Sequence, residues 1–189
     1  MALKRENSLT TLLIVAISGF FLVQKYFYPQ LVTYFAIVGS GYMEHSQYYR
    51  FLTVALSHAS WTHLIFNMLA LYQLGNIVEQ VFGEIRYSII LLVSLIAGSF
   101  ATYQFLPSSG FGIGASGMIF GLFGALLVVG KQIGLNYSAV YGTLLVNAAI
   151  PFIDRNVDWH AHLGGLVGGA IAAFVLKSFN GPQKRLRNI

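Results

Sequence analysis

The chain contains no cysteine, which excludes disulfides, thiolate metal sites and a cysteine nucleophile. It is also short of charge. Asp, Glu, Lys and Arg make up 9% of the 189 residues against 56% that are hydrophobic, and the mean hydropathy is +0.68. A water-facing domain carries about 25% charged residues, so an all-helical membrane protein is expected instead. Eleven basic against six acidic residues leave a formal charge of +5. In a membrane protein that excess reports orientation and contact with anionic headgroups; nucleic acid is not an expected partner.

Gaps between charges place the spans, since each needs about 20 predominantly apolar residues. The longest gap is 44 residues, Tyr87 to Gly130. It is too long for one helix, and Pro107-Ser108-Ser109-Gly110 divides it. Six spans result, at about 8–28, 62–81, 87–106, 113–130, 137–153 and 160–179, in one membrane domain covering 1–189 with no soluble domain or repeat. Segment 29–50 is too long for a turn and too polar for a span. It is expected in the outer interface as an irregular, partly helical lobe with tyrosines at headgroup level. The basic segment 180–189 is expected to be a disordered tail. Lys4 and Arg5 before an apolar run resemble a secretory leader, but no clean small-residue cleavage pattern follows, so a retained first span is expected.

Orientation follows from the loops. With the N-terminus inside, cytoplasmic segments hold eight basic residues (Lys4, Arg5, Arg86, Lys131, Lys177, Lys184, Arg185, Arg187) and the opposite side three (Lys25, Arg50, Arg155). That satisfies the positive-inside rule, with both termini in the cytoplasm of a bacterial-type plasma membrane.

Within these spans stand a serine flanked by glycines, Gly114-Ala115-Ser116-Gly117, and a histidine, in Ala161-His162-Leu163-Gly164-Gly165. A histidine at membrane depth is expensive and marks function by default, and a serine with a histidine is the minimum apparatus for nucleophilic acyl transfer. Gly114, Gly117, Gly121 and Gly124 recur at spacings of three and four, a stripe that lets a neighbouring backbone approach. The sixth span answers with Gly164, Gly165, Gly168 and Gly169, and His162, Gly165 and Gly169 share one face at i, i+3 and i+7. Two stripes packed together would bring His162 to Ser116. Generic small-residue packing explains the glycines alone, but not an imidazole on the same face. In the second span His63 and Asn67 stand at i and i+4. Their ring N–H and amide could donate to a developing oxyanion; taken alone, Asn67 is better read as a clamp onto a neighbouring helix.

Three segments, Gly114 to Gly117, His63 to Asn67 and Ala161 to Gly165, resemble the signatures of the rhomboid intramembrane serine proteases, on spans four, two and six in that family's order. Tyr49-Arg50 resembles the aromatic-Arg pair of the family's first loop, and Glu79 with Gly83 its second-helix ending. The resemblance covers nearly the whole chain. It implies a six-helix rhomboid-like bundle, a Ser116–His162 dyad, an oxyanion site with His63 and Asn67, no cofactor and no metal. It also implies, as partners, membrane proteins with helix-destabilised transmembrane segments. The family often carries tyrosine four residues after the serine, stacked under the histidine; here Phe120 stands there, keeping the ring and losing the hydroxyl. Tyr49 replaces a more usual tryptophan.

Other residues are weaker candidates. Asp158, four residues before His162, could orient it as a third member, but the resemblance implies a dyad and Asp158 is expected in water at the helix mouth. His160 should point to another face, and His45 and His58 are expected to be solvated or interfacial. The spacing of His58 and His63 lacks the glutamate and turn of a zinc protease, and Gly114 to Met118 lacks the second glycine of a G-x-S-x-G elbow. Transport finds no paired intramembrane charges. The non-enzymatic alternative is a catalytically inactive rhomboid-like protein that binds transmembrane helices, for which loss of the serine or histidine would be the mark.

Overall fold

The computed structural model describes residues 8–106, 110–135, 138, 141–142, 145 and 158–177. Helix α1 (Leu9–Tyr26) is capped by Ser8, whose side chain accepts from the Thr11 amide. Next come α2 (Leu31–Phe35), strand β1 (Ile37–Val38), a 3-10 turn at His45–Gln47 and α3 (Arg50–Thr53), followed by a second 3-10 turn. Segment 29–50 is thus a run of single turns and one short strand, and its tyrosines Tyr34, Tyr42, Tyr48 and Tyr49 are exposed.

Helix α4 (Trp61–Ala70), capped by Ser60, runs through a π-helical turn at Leu71–Gly75 into α5 (Asn76–Phe82). The span expected at 62–81 is therefore a helical rod of altered pitch rather than one regular helix. At 1.5 Å per residue its 22 residues reach ~33 Å, enough for the ~30 Å hydrocarbon core. Gly83, at φ 78°, ends it and begins α6 (Glu84–Phe105). Strand β2 (Phe111–Gly112) pairs antiparallel with β1, and α7 (Ser116–Val129) follows. The fourth helix thus begins three residues later than the expected 113, and Gly114 lies outside it. The expected fifth span, 137–153, lies outside the described residues except for 138, 141, 142 and 145, which are helical. The last described element is α8 (Trp159–Lys177); segment 180–189 lies outside the description.

Among the described residues, four helices are each long and apolar enough to cross a membrane: Leu9–Tyr26, Glu84–Phe105, Ser116–Ile133 and Trp159–Lys177. Helix α7 has no charge and is buried almost all round, as expected of an all-apolar helix inside a bundle. Helices α6 and α8 pack on it and on each other. Their outer faces are apolar and exposed, with Ile89, Leu92 and Ile96 on α6 and Leu163, Val167 and Ile171 on α8. A surface of this kind suits lipid rather than water.

Candidate active site

Ser116 is the first residue of α7. The chain reaches it from β2 through Gly114, whose φ of +110° disfavours a side chain. The Gly114 amide donates to the Val54 carbonyl at 3.0 Å. A Cβ on Gly114 would also stand 2.7 Å from Cε1 and Nε2 of His63, so both backbone and space demand glycine there. The first backbone bond of the helix runs from the Ile119 amide to the Ala115 carbonyl at 3.1 Å. The amides of residues 116–118 are thus the orphan donors of a helix start, at its positive end.

His162 lies one turn into α8 and is buried. Its ring stacks on Phe120, centroids 4.0 Å apart and planes 6° apart. Its Nδ1 is sealed in protein with no hydrogen-bond partner among the described residues. What allows α8 this close to α7 is glycine. A Cβ on Gly165 would overlap the Gly117 carbonyl, and one on Gly169 would overlap the Gly121 backbone. Helix α6 enters the same contact. A Cβ on Gly98 would lie 2.8 Å from the Ala161 carbonyl oxygen and 3.3 Å from Gly117 Cα, and one on Gly121 would overlap Ser94. Gly164 and Gly168 face Ala97 of α6 instead of α7. The glycines of the sixth span therefore form two stripes serving two neighbours.

A cavity of about 420 Å³ opens between these helices, lined by Ser116, His162, His63, Asn67 and Phe120 together with Thr102 and Asp158. Asn67 donates from Nδ2 to the His63 carbonyl of its own helix at 2.8 Å, and its Oδ1 is buried without a partner among the described residues. The cross-helix clamp considered for it is not formed by these bonds.

Two expectations fail. His58 is not solvated: it is fully buried, held through its backbone by Gln24 of α1, with bonds of 2.8 Å to its carbonyl and 3.2 Å from its amide. Its ring meets His63 edge-on at 4.9 Å. Burial, reinforced by the charge of His63, pushes the His58 imidazole down to about 3. Asp158 is not in water either. Its side chain is 6% exposed, Thr102 Oγ1 donates to Oδ2, and the His160 amide at 3.0 Å and ring Nδ1 at 2.9 Å meet Oδ1. His160 is drawn to Asp158, stacks on Phe105 and lies tilted against Trp159, and it does not line the cavity that holds Ser116. His45 is exposed, as expected.

Residues 45–179 match the rhomboid domain family model. This chain belongs to the rhomboid family. Among similar proteins are the rhomboid protease GluP of Bacillus subtilis (strain 168), 38% identical over 138 residues, 69% of this chain and 26% of that protein. The putative rhomboid protease YdcA of the same organism is 36% identical over 134 residues, 68% of this chain and 67% of that protein. RHOMBOID-like protein 2 of Arabidopsis thaliana is 41% identical over 137 residues, 69% of this chain and 43% of that protein. The chain thus spans about a quarter of GluP, two thirds of YdcA and under half of the plant protein. As a rhomboid with apolar helices of spanning length, it is an integral membrane protein.

The other rhomboid-like marks of the sequence have structural work here. Arg50 Nη1 donates to the carbonyls of Thr33 at 2.9 Å and Ala36 at 2.6 Å, tying segment 29–38 to α3. Glu79 accepts from the amides of Leu9 at 2.9 Å and Thr10 at 3.0 Å, capping α1 from α5. Sequence reasoning missed Thr102 and the part played by α6. The small residues Ser94, Ala97, Gly98 and Ala101, at helical spacing, were the available signal for α6; nothing in the sequence singled out Thr102.

Proposed function

We propose that this rhomboid is an intramembrane serine endopeptidase, cleaving peptide bonds in or beside transmembrane segments of membrane-protein substrates through a Ser116–His162 dyad. The observation that carries this reading is that Ser116, His162, His63 and Asn67 line one cavity, with His162 stacked flat on Phe120. Neither member of the pair has been lost, as an inactive helix-binding rhomboid would lead one to expect. The names of GluP and YdcA point the same way.

In this reading Ser116 Oγ attacks the scissile carbonyl carbon while its proton passes to His162. With Nδ1 sealed, Nε2 is the nitrogen that receives it. The negative charge on the carbonyl oxygen is met by His63, the Asn67 amide and the backbone amides at the start of α7. Collapse breaks the C–N bond, and His162 returns the proton to the leaving amine. Water entering the cavity then hydrolyses the acyl-enzyme by the same route. Six spans, with 137–153 as the fifth, both termini in the cytoplasm and a bacterial-type plasma membrane complete the proposal. Helix-destabilised segments are the expected substrates, because the backbone must unwind to reach Ser116.

The test is cleavage of a helix-destabilised membrane substrate in proteoliposomes. Wild type should cleave it, and Ser116→Ala and His162→Ala should each abolish turnover while remaining folded. The double variant should lose no more, since the pair acts as one unit. Turnover retained in either single variant would refute the dyad. A wild type that binds such helices and never cleaves them would favour the non-enzymatic alternative.

A further inference from the structure

We propose that the Asp158 carboxylate is the counter-charge for the imidazolium formed at His162, acting across the shared cavity without a hydrogen bond to the ring; the inference rests on the dyad reading above. Catalysis by the dyad puts a positive charge on a ring that is buried and stacked, and whose Nδ1 has no partner among the described residues. A buried charge without a counter-charge is strongly disfavoured. Among the described residues, the titratable side chains lining the cavity with His162 are His63 and Asp158. His63 bears no negative charge to offer, and His58 behind it is neutral. Among the described residues Asp158 is the one carboxylate there, and it stands just before the first turn of α8, the turn that carries His162.

Its position is fixed. Thr102 of α6 holds Oδ2, the His160 amide and ring hold Oδ1, and Gly112 packs so close that a Cβ there would lie 2.9 Å from Oδ2. The carboxylate is thus kept out of bulk water, where its field would be screened, and cannot swing away from the cavity. None of these bonds reaches His162, so the arrangement is not a triad. Asp158 touches no reacting atom and is a positioning residue: it sets the electrostatic environment in which His162 takes up its proton. Its second task, accepting from the His160 amide, is that of an N-cap for α8. The experiment must separate the two.

Asp158→Asn and Asp158→Ser both keep a capping side chain and remove the charge. Asp158→Glu keeps the charge on a side chain that is not among the preferred caps. Each variant is measured in proteoliposomes for kcat and KM, for the rate at which a fluorophosphonate labels Ser116, and for its melting in detergent. Across the shared cavity the lost charge should lower kcat and labelling about tenfold in Asn and Ser. KM and melting should stay near wild type. Glu should be more active than Asn although it melts earlier. Wild-type kcat in the Asn and Ser variants overturns the proposal. So does a loss of activity that follows melting and leaves Glu the poorest, or failure of both Asn and Ser variants to fold while Glu folds, since each makes Asp158 merely structural. Failure of the dyad reading looks different: wild type would then match Ser116→Ala in both cleavage and labelling.

Discussion

The rings of Phe120 and His162 lie 4.0 Å apart and within 6° of parallel, joining the serine helix to the histidine helix through one face-to-face contact. Phe120 follows Ser116 by four residues on α7, so it stands one turn below the serine. The stack sets the plane of the imidazole, and the glycine contact beneath it sets the height of α8 against α7.

Phe120→Leu should therefore lower kcat. An aromatic pair contributes about 0.5–1.5 kcal/mol beyond the area it buries, a rate loss of roughly twofold to tenfold. Phe120→Tyr keeps the ring and should stay close to wild type. Steady-state kinetics on one membrane substrate checks both; equal activity in the Leu variant would mean that the ring plane does not matter.

Asn67→Ala and His63→Ala should each reduce turnover without erasing it. Loss of one oxyanion donor costs about 10²–10³ in rate. Asn67 bonds within its own helix, so its removal should cost little thermal stability. Asn67→Ala working at wild-type speed but melting much earlier would return the residue to a structural role.

Gly165→Val and Gly169→Val should destroy both activity and fold, because each new Cβ would enter the backbone of α7. Gly130, just past the end of α7 remote from Ser116, is itself buried and is a poor control. Gly19 of α1 has nothing within 4 Å of its Cβ position, and Gly19→Val should be mild. Expression, melting and cleavage of the three variants decide it; a Gly165→Val protein with normal melting and cleavage would remove the interhelical contact from the account.

His58 should make the fold acid-sensitive. Its imidazole titrates near 3 when folded and near 6.5 otherwise, so the unfolded chain binds the extra proton first as pH falls. The stability is complete above about pH 6.5 and declines from there toward pH 3, by at most about 1.4 kcal/mol per pH unit. Melting in detergent between pH 7 and 5, above most carboxylate titrations, should fall in wild type and flatten in His58→Gln. An identical slope in the two proteins would show that another group is responsible.

Some of this was written in the sequence alone. Scarcity of charge named the bilayer as solvent, because uncharged runs of spanning length have no other stable home. The spacing of His162, Gly165 and Gly169 announced a packed face, since helix periodicity fixes which side chains share one side. What periodicity cannot say is which neighbour lies against that side. Only the tertiary structure assigned Gly164 and Gly168 to α6, brought Thr102 onto Asp158, and closed α1 over His58 through Gln24. Asp158 and His58 read as solvated residues because polarity and position on a span's edge were all the sequence offered. Burial is a property of what surrounds a side chain, and those surroundings come from residues dozens of positions away in the chain.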